Sequence, residues 1–180
     1  MLKKNLLSAI VTGSVLLSAG VQAADSTITF NLEAYVPPAN FSATAEGWTP
    51  GVITAPMNVR PDGSFVESAA KNIRLVVPAS VGAKVYMYTD NPGSNAKLTH
   101  SNGTDNFGVK VTLSAPGANT INLNSQHKDP ASALALVDKT VNTAGYNELV
   151  SMLVSTEVRS PTSPTGRYAG QITMVFDQLL

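Results

Sequence analysis

The chain has 180 residues, 12 basic and 12 acidic side chains, 13 glycines, 11 prolines and no cysteine. Thiol chemistry and disulfide staples are thereby excluded, and so is the strong basic field that would draw in nucleic acid or an anionic bilayer. Only 13% of residues are charged, and the abundance of Thr, Ser, Asn, Ala and Val suits short strands joined by tight turns better than long helices.

The first residues carry Lys3 and Lys4, then an apolar run from Leu6 to Leu17, then the small-residue pattern Val21-Gln22-Ala23. This reads as a secretory signal peptide over residues 1–23. Its apolar core is shorter than the roughly 18 residues of a membrane-spanning helix. Cleavage after Ala23 is expected to leave 180 − 23 = 157 residues, enough for one domain with its own core. With the two lysines gone, 12 − 2 = 10 basic residues face 12 acidic ones, a formal charge of −2.

Directly after the expected cut lies the sharpest pattern in the chain. Ile28, Phe30, Leu32, Ala34 and Val36 alternate with Thr27, Thr29, Asn31, Glu33 and Tyr35. Such a two-residue period predicts a strand with one apolar face, and about 11 residues of it would span roughly 36 Å. Pro37-Pro38 should stop it, because neither residue can donate a ladder hydrogen bond.

Further strands are expected at Asn72 to Val77, with Ile73, Leu75 and Val77 inward, and at Lys84 to Thr89, with Val85 and Met87 inward. Pro78 to Gly82 is the turn between them. Phe107, Val109, Val111 and Leu113 mark another strand, and Ile121 and Leu123 a short one. Leu149 to Val158 is denser in apolar residues and is expected in the middle of a sheet, whereas Arg167 to Phe176 puts Ile172, Met174 and Phe176 on one face. Turns are expected at Asp90-Asn91-Pro92-Gly93, Ser101-Asn102-Gly103, Ala115-Pro116-Gly117 and Ser160 to Gly166. Asp129-Pro130 has the form of an N-cap and first turn for a short helix over Ala131 to Val137. Strands at this spacing without a long helix point to an all-β, immunoglobulin-like sandwich.

Little in the chain points to catalysis. The two histidines, His100 and His127, lie far from each other in polar turns, and no nucleophile elbow, phosphate loop or zinc-protease motif occurs. No enzyme activity, cofactor or metal is expected. The oxygen-rich stretches Asp90 to Ser94 and Ser101 to Asn106 lack calcium-loop spacing and read as solvated turns. Trp48, between Gly47 and Pro50-Gly51, has two readings: a sugar-stacking platform, or packing at the rim of the core. Tyr86 and Tyr88 likewise form either an outward aromatic stripe or ordinary cross-strand packing.

The stretch Ser26-Thr27-Ile28-Thr29-Phe30-Asn31-Leu32-Glu33-Ala34-Tyr35-Val36-Pro37 resembles the mature N-terminus of chaperone–usher major pilins of the CS1 / colonisation-factor class, the alpha fimbriae. Gly166-Arg167-Tyr168-Ala169-Gly170-Gln171-Ile172-Thr173-Met174-Val175-Phe176 is similar to the same family's last strand, with its Gly-x-Tyr-x-Gly turn. The likeness covers about 25 residues at the two ends and is diffuse between them. It implies an incomplete immunoglobulin-like sandwich with an N-terminal donor strand, divided into the signal peptide 1–23, the donor strand and Pro-Pro linker 24–38, and the pilin domain 39–180.

It further implies a structural shaft subunit of a surface fimbrium, exported through the periplasm and polymerising by donor-strand complementation. Ile28, Phe30, Leu32, Ala34 and Val36 would be the donor side chains, and Ile172, Met174 and Phe176 would wall the acceptor groove. Burial of the donor set would contribute on the order of 6–12 kcal/mol before ordering costs. The implied partners are identical pilin subunits, a periplasmic chaperone, an outer-membrane usher, a tip adhesin and a host-cell receptor, with no nucleic acid. The alternative is a secreted β-sandwich module, carbohydrate-binding or adhesive, whose N-terminal strand pairs within its own sheet and which does not polymerise.

Overall fold

Residues 25–34, 41–56, 70–157, 164 and 166–179 are described by the computed structural model, the segments 25–34 and 51–56 through their backbone pairing. The proposed signal peptide, Val36, Pro37-Pro38 and Val158 lie outside the described residues, as does most of the turn before Gly166. The described chain is all-β, with no helix.

Its strands in chain order are β1 (Asp25–Ala34), β2 (Ser42–Glu46), β3 (Gly51–Pro56), β4 (Lys71–Val77), β5 (Gly82–Thr89) and β6 (Lys97–His100). They continue with β7 (Asn106–Ser114), β8 (Ile121–Leu123), β9 (Leu134–Val137), β10 (Tyr146–Thr156) and β11 (Tyr168–Leu179). A hydrogen-bonded path runs β2-β4-β10-β7-β6-β11-β1-β3; β5 joins β11 to β9, and β8 lies on β7. Among the described residues every pairing is antiparallel except that of β1 with β11.

The alternating residues build one core, as their period dictates. Ile73, Leu75 and Val77 of β4, Val85 and Met87 of β5, and Val109, Val111 and Leu113 of β7 are buried together with Val150, Met152 and Val154 of β10 and Ile172, Met174 and Phe176 of β11. Each fully buried large side chain contributes about 1.5–3 kcal/mol relative to exposure. β10 lies between β4 and β7, the central position its apolar density predicts.

β7 links the two halves of the path. Its residues 106–108 pair with β6 and its residues 109–114 with β10. Gly108 marks the change of partner: a Cβ there would collide with the Glu157 carboxylate, which accepts a hydrogen bond from Ser125 Oγ at 2.9 Å. A glycine lets that carboxylate cross close to the backbone.

The Pro78 to Gly82 turn is tied down by Asn142, whose side-chain amide donates to the carbonyls of Pro78 and Val81, each at 2.9 Å. The helix expected over Ala131 to Val137 is not formed. Asp129 does cap, accepting the Ser132 N–H at 2.9 Å, but only a turn follows, and Leu134–Val137 pairs with β5 as β9. Four apolar residues in a row satisfy either period, and the open edge of β5 decides in favour of the strand. Strands β2, β3 and β6 were not expected from the sequence.

Candidate functional site

The two segments that carry the pilin resemblance meet along β11. At its start the Gly-x-Tyr-x-Gly motif is a packing junction. Gly166 has φ +150°, and a Cβ there would overlap His100 Nε2. Tyr168 is buried with its ring centroid 4.8 Å from that of His100 and 4.3 Å from that of Phe107, and its hydroxyl donates to the Pro164 carbonyl at 2.9 Å. Gly170 passes under β6, where a Cβ would run into the Lys97 carbonyl and the Leu98 side chain. The motif thus lets β6 lie against β11 in the register Tyr168↔His100 and Ala169↔Thr99.

Beyond the junction, Ile172, Met174 and Phe176 are fully buried. On one flank they pair with β5, in the register Ile172↔Thr89, Met174↔Met87 and Phe176↔Val85. The Thr89 hydroxyl donates to the Gln171 carbonyl at 2.7 Å, and Lys84 Nζ lies 3.5 Å from Asp177 Oδ2. On the other flank lies β1, parallel to β11. The register sets Ile28 against Gly170, Phe30 against Ile172, Leu32 against Met174 and Ala34 against Phe176. The far side of β1 is antiparallel to β3, with Asp25↔Pro56 through Phe30↔Gly51.

Four of the five nominated donor positions therefore share register positions with β11, three of them with the nominated groove residues, and β1 occupies a slot between β11 and β3. β3 itself went unseen in the sequence because Gly51 and Pro56 bound it, both signals of a turn.

The residues weighed for other chemistry have structural duties. The indole N–H of Trp48 donates to the Asn72 carbonyl at 2.7 Å and the half-buried ring packs against the core, which favours the rim-packing reading. His100 Nδ1 accepts the Asn102 N–H at 3.2 Å, and His127 Nδ1 accepts the Asn124 N–H at 3.0 Å. In the turn 101–106, Asn102 Oδ1 accepts the N–H groups of Thr104 and Asp105, and its amide donates to Asp105 Oδ2 at 2.7 Å. Asp129 and Asp138 have carboxyls held below the usual range, first by the backbone N–H groups of Ser132 and Thr140 respectively and then by the hydroxyls of the same two residues. Burial pushes the Tyr146 phenol up, and its hydroxyl donates to the Pro116 carbonyl at 3.2 Å. Tyr86 and Tyr88 have ring centroids 6.4 Å apart, and Tyr88 is buried. Among the described residues no cluster of three or more His, Asp or Glu side chains is placed to hold a metal.

A scan against protein-family models and a search of curated proteins both find no match to the chain.

Proposed function

We propose that the chain is a shaft subunit of a surface fimbrium, an immunoglobulin-like sandwich that polymerises by giving its N-terminal strand to a neighbouring copy, and so supports adhesion. The observation that carries this reading is the seat of β1, in register with β11 over residues 27–34 and paired on its far side with β3. β1 precedes every other described strand, so once a leader is cut away it can leave the slot without threading through any other segment. Its departure strips one edge of β11 over residues 169–176 and leaves β3 without a partner strand among the described residues. Bare edges of this kind template aggregation unless another strand covers them. That need is met in turn by a periplasmic chaperone, by the outer-membrane usher and by the next subunit, which adds its strand to the sheet.

The second reading, a secreted β-sandwich module that remains monomeric, is favoured by the same in-chain pairing if β1 never leaves. The two readings separate in a comparison of Leu32→Asp with Asn31→Asp, measured as fibre on cells at equal periplasmic subunit level. A strand delivered to an apolar slot tolerates a charge at the outward parity and not at the inward one. Fibre should fall more than about tenfold for Leu32→Asp and little for Asn31→Asp. Equal losses, or no fibre from the unmodified chain when its secretion partners are present, would contradict the fimbrial reading.

A further inference from the structure

We infer that β1 is an intramolecular cap, so that the free subunit is closed by its own strand, and that release of this strand rather than encounter with a partner limits the rate of assembly. The inference rests on the fimbrial reading and adds its regulation. A strand tethered to the domain it fills is present there at an effective concentration on the order of mM. Against a second copy at about 1 μM, the chain's own strand therefore wins by roughly a thousandfold when the two bind equally well. The pairing of β1 with β11 and β3 shows that the tether is long enough for this closure.

Closure also removes both hazards of the open subunit, because one strand covers the edge of β11 and the edge of β3 together. The cap is the only parallel pairing among the described strands, and a parallel ladder is slightly weaker per residue than an antiparallel one. It is also the first of the described strands. Both features make it the pairing that opens without unfolding the remainder, whose core residues on β5, β7 and β10 it does not interrupt. A subunit capped this way would be stored as a monomer, and any partner that drives assembly would act by holding β1 away from its own slot.

The experiment uses the full mature chain, which has no native cysteine to interfere. Thr29 and Gln171 are register partners on β1 and β11, and Gln171 is exposed. In the double variant Thr29→Cys/Gln171→Cys, oxidation should give an intramolecular disulfide in the monomer. A labelled peptide of residues 25–36 should be excluded by the oxidised form and taken up slowly by the reduced form. In the unsubstituted chain the uptake rate should level off as peptide is raised, since opening becomes limiting; this arm needs no substitution. Uptake by the oxidised form equal to that by the reduced form, or a rate in the unsubstituted chain that stays proportional to peptide, would overturn the cap and leave strand exchange standing. An intramolecular disulfide with no uptake by the reduced or unsubstituted chain would overturn both the cap and the fimbrial reading, making β1 a permanent strand.

Discussion

The two flanks of β11 are built differently. On the side of β5 and β6 the ladder is antiparallel and reinforced by side chains: Thr89 Oγ1 on the Gln171 carbonyl at 2.7 Å, Lys84 beside Asp177 at 3.5 Å, and Gly170 tucked under Lys97 and Leu98. On the side of β1 the ladder is parallel, its strand is the first of the described ones, and the next strand out, β3, pairs only with it among the described residues. The first flank is part of the folded body. On the proposed reading the second is an occupied site, filled by a segment that exchanges for another of the same pattern.

Substitutions on β11 and on its β5 flank test that asymmetry. The largest effect is expected from Met174→Asp, which buries an unpaired carboxylate where both flanks meet; a loss of more than about 4 kcal/mol should leave no cooperative unfolding transition by circular dichroism. Gly170→Val strikes the β6 contact, since its side chain must displace Lys97 and Leu98, at a position that is also the register partner of Ile28 on β1. Overpacking of this kind costs about 1–3 kcal/mol, readable as a lower denaturant midpoint. Thr89→Val removes one hydroxyl that joins β5 to β11 and should cost about 1 kcal/mol in the same assay.

The smallest effect concerns acid. The carboxyls of Asp129 and Asp138 are held low in the fold, so what they add to stability is present above their unfolded values and lost as pH falls through the folded ones. The turns at 129–132 and 138–140 should therefore hold at neutral pH and loosen only below the usual carboxylate range of about 4, as followed by carboxyl chemical shifts. Neither turn borders β1, so peptide uptake at the slot should not follow this titration.

What the sequence made legible was periodicity. Strands β4, β7, β8 and β10 alternate buried and less buried residues as their sequence does, whereas β5 and β11 show the alternation in sequence but bury neighbours of both parities, Tyr88 and Thr89 in β5 and Thr173 and Val175 in β11. β2 consists of small and polar residues, β6 has four residues and β9 reads equally well as a helical turn, so their pairing is decided by neighbours distant in the chain. The glycines of the β11 motif were visible as a pattern. Their cause was not, because His100, Lys97 and Leu98, which exclude a Cβ, come from another strand. For the site, alternation named the positions on β1 and β11 that share a register, but no feature of a single strand says whether it lies parallel or antiparallel to its partner, or which copy supplies it.

Amide hydrogen exchange of the isolated full-length subunit tests the asymmetry of β11 most directly. If β1 is a releasable cap, the amides of residues 27–34 and those of β3 should lose protection together through a local opening, while β5 and β10 stay protected up to the stability of the whole domain. Residues 27–34 exchanging only with β5 and β10, at one common free energy and by global unfolding, would contradict the account.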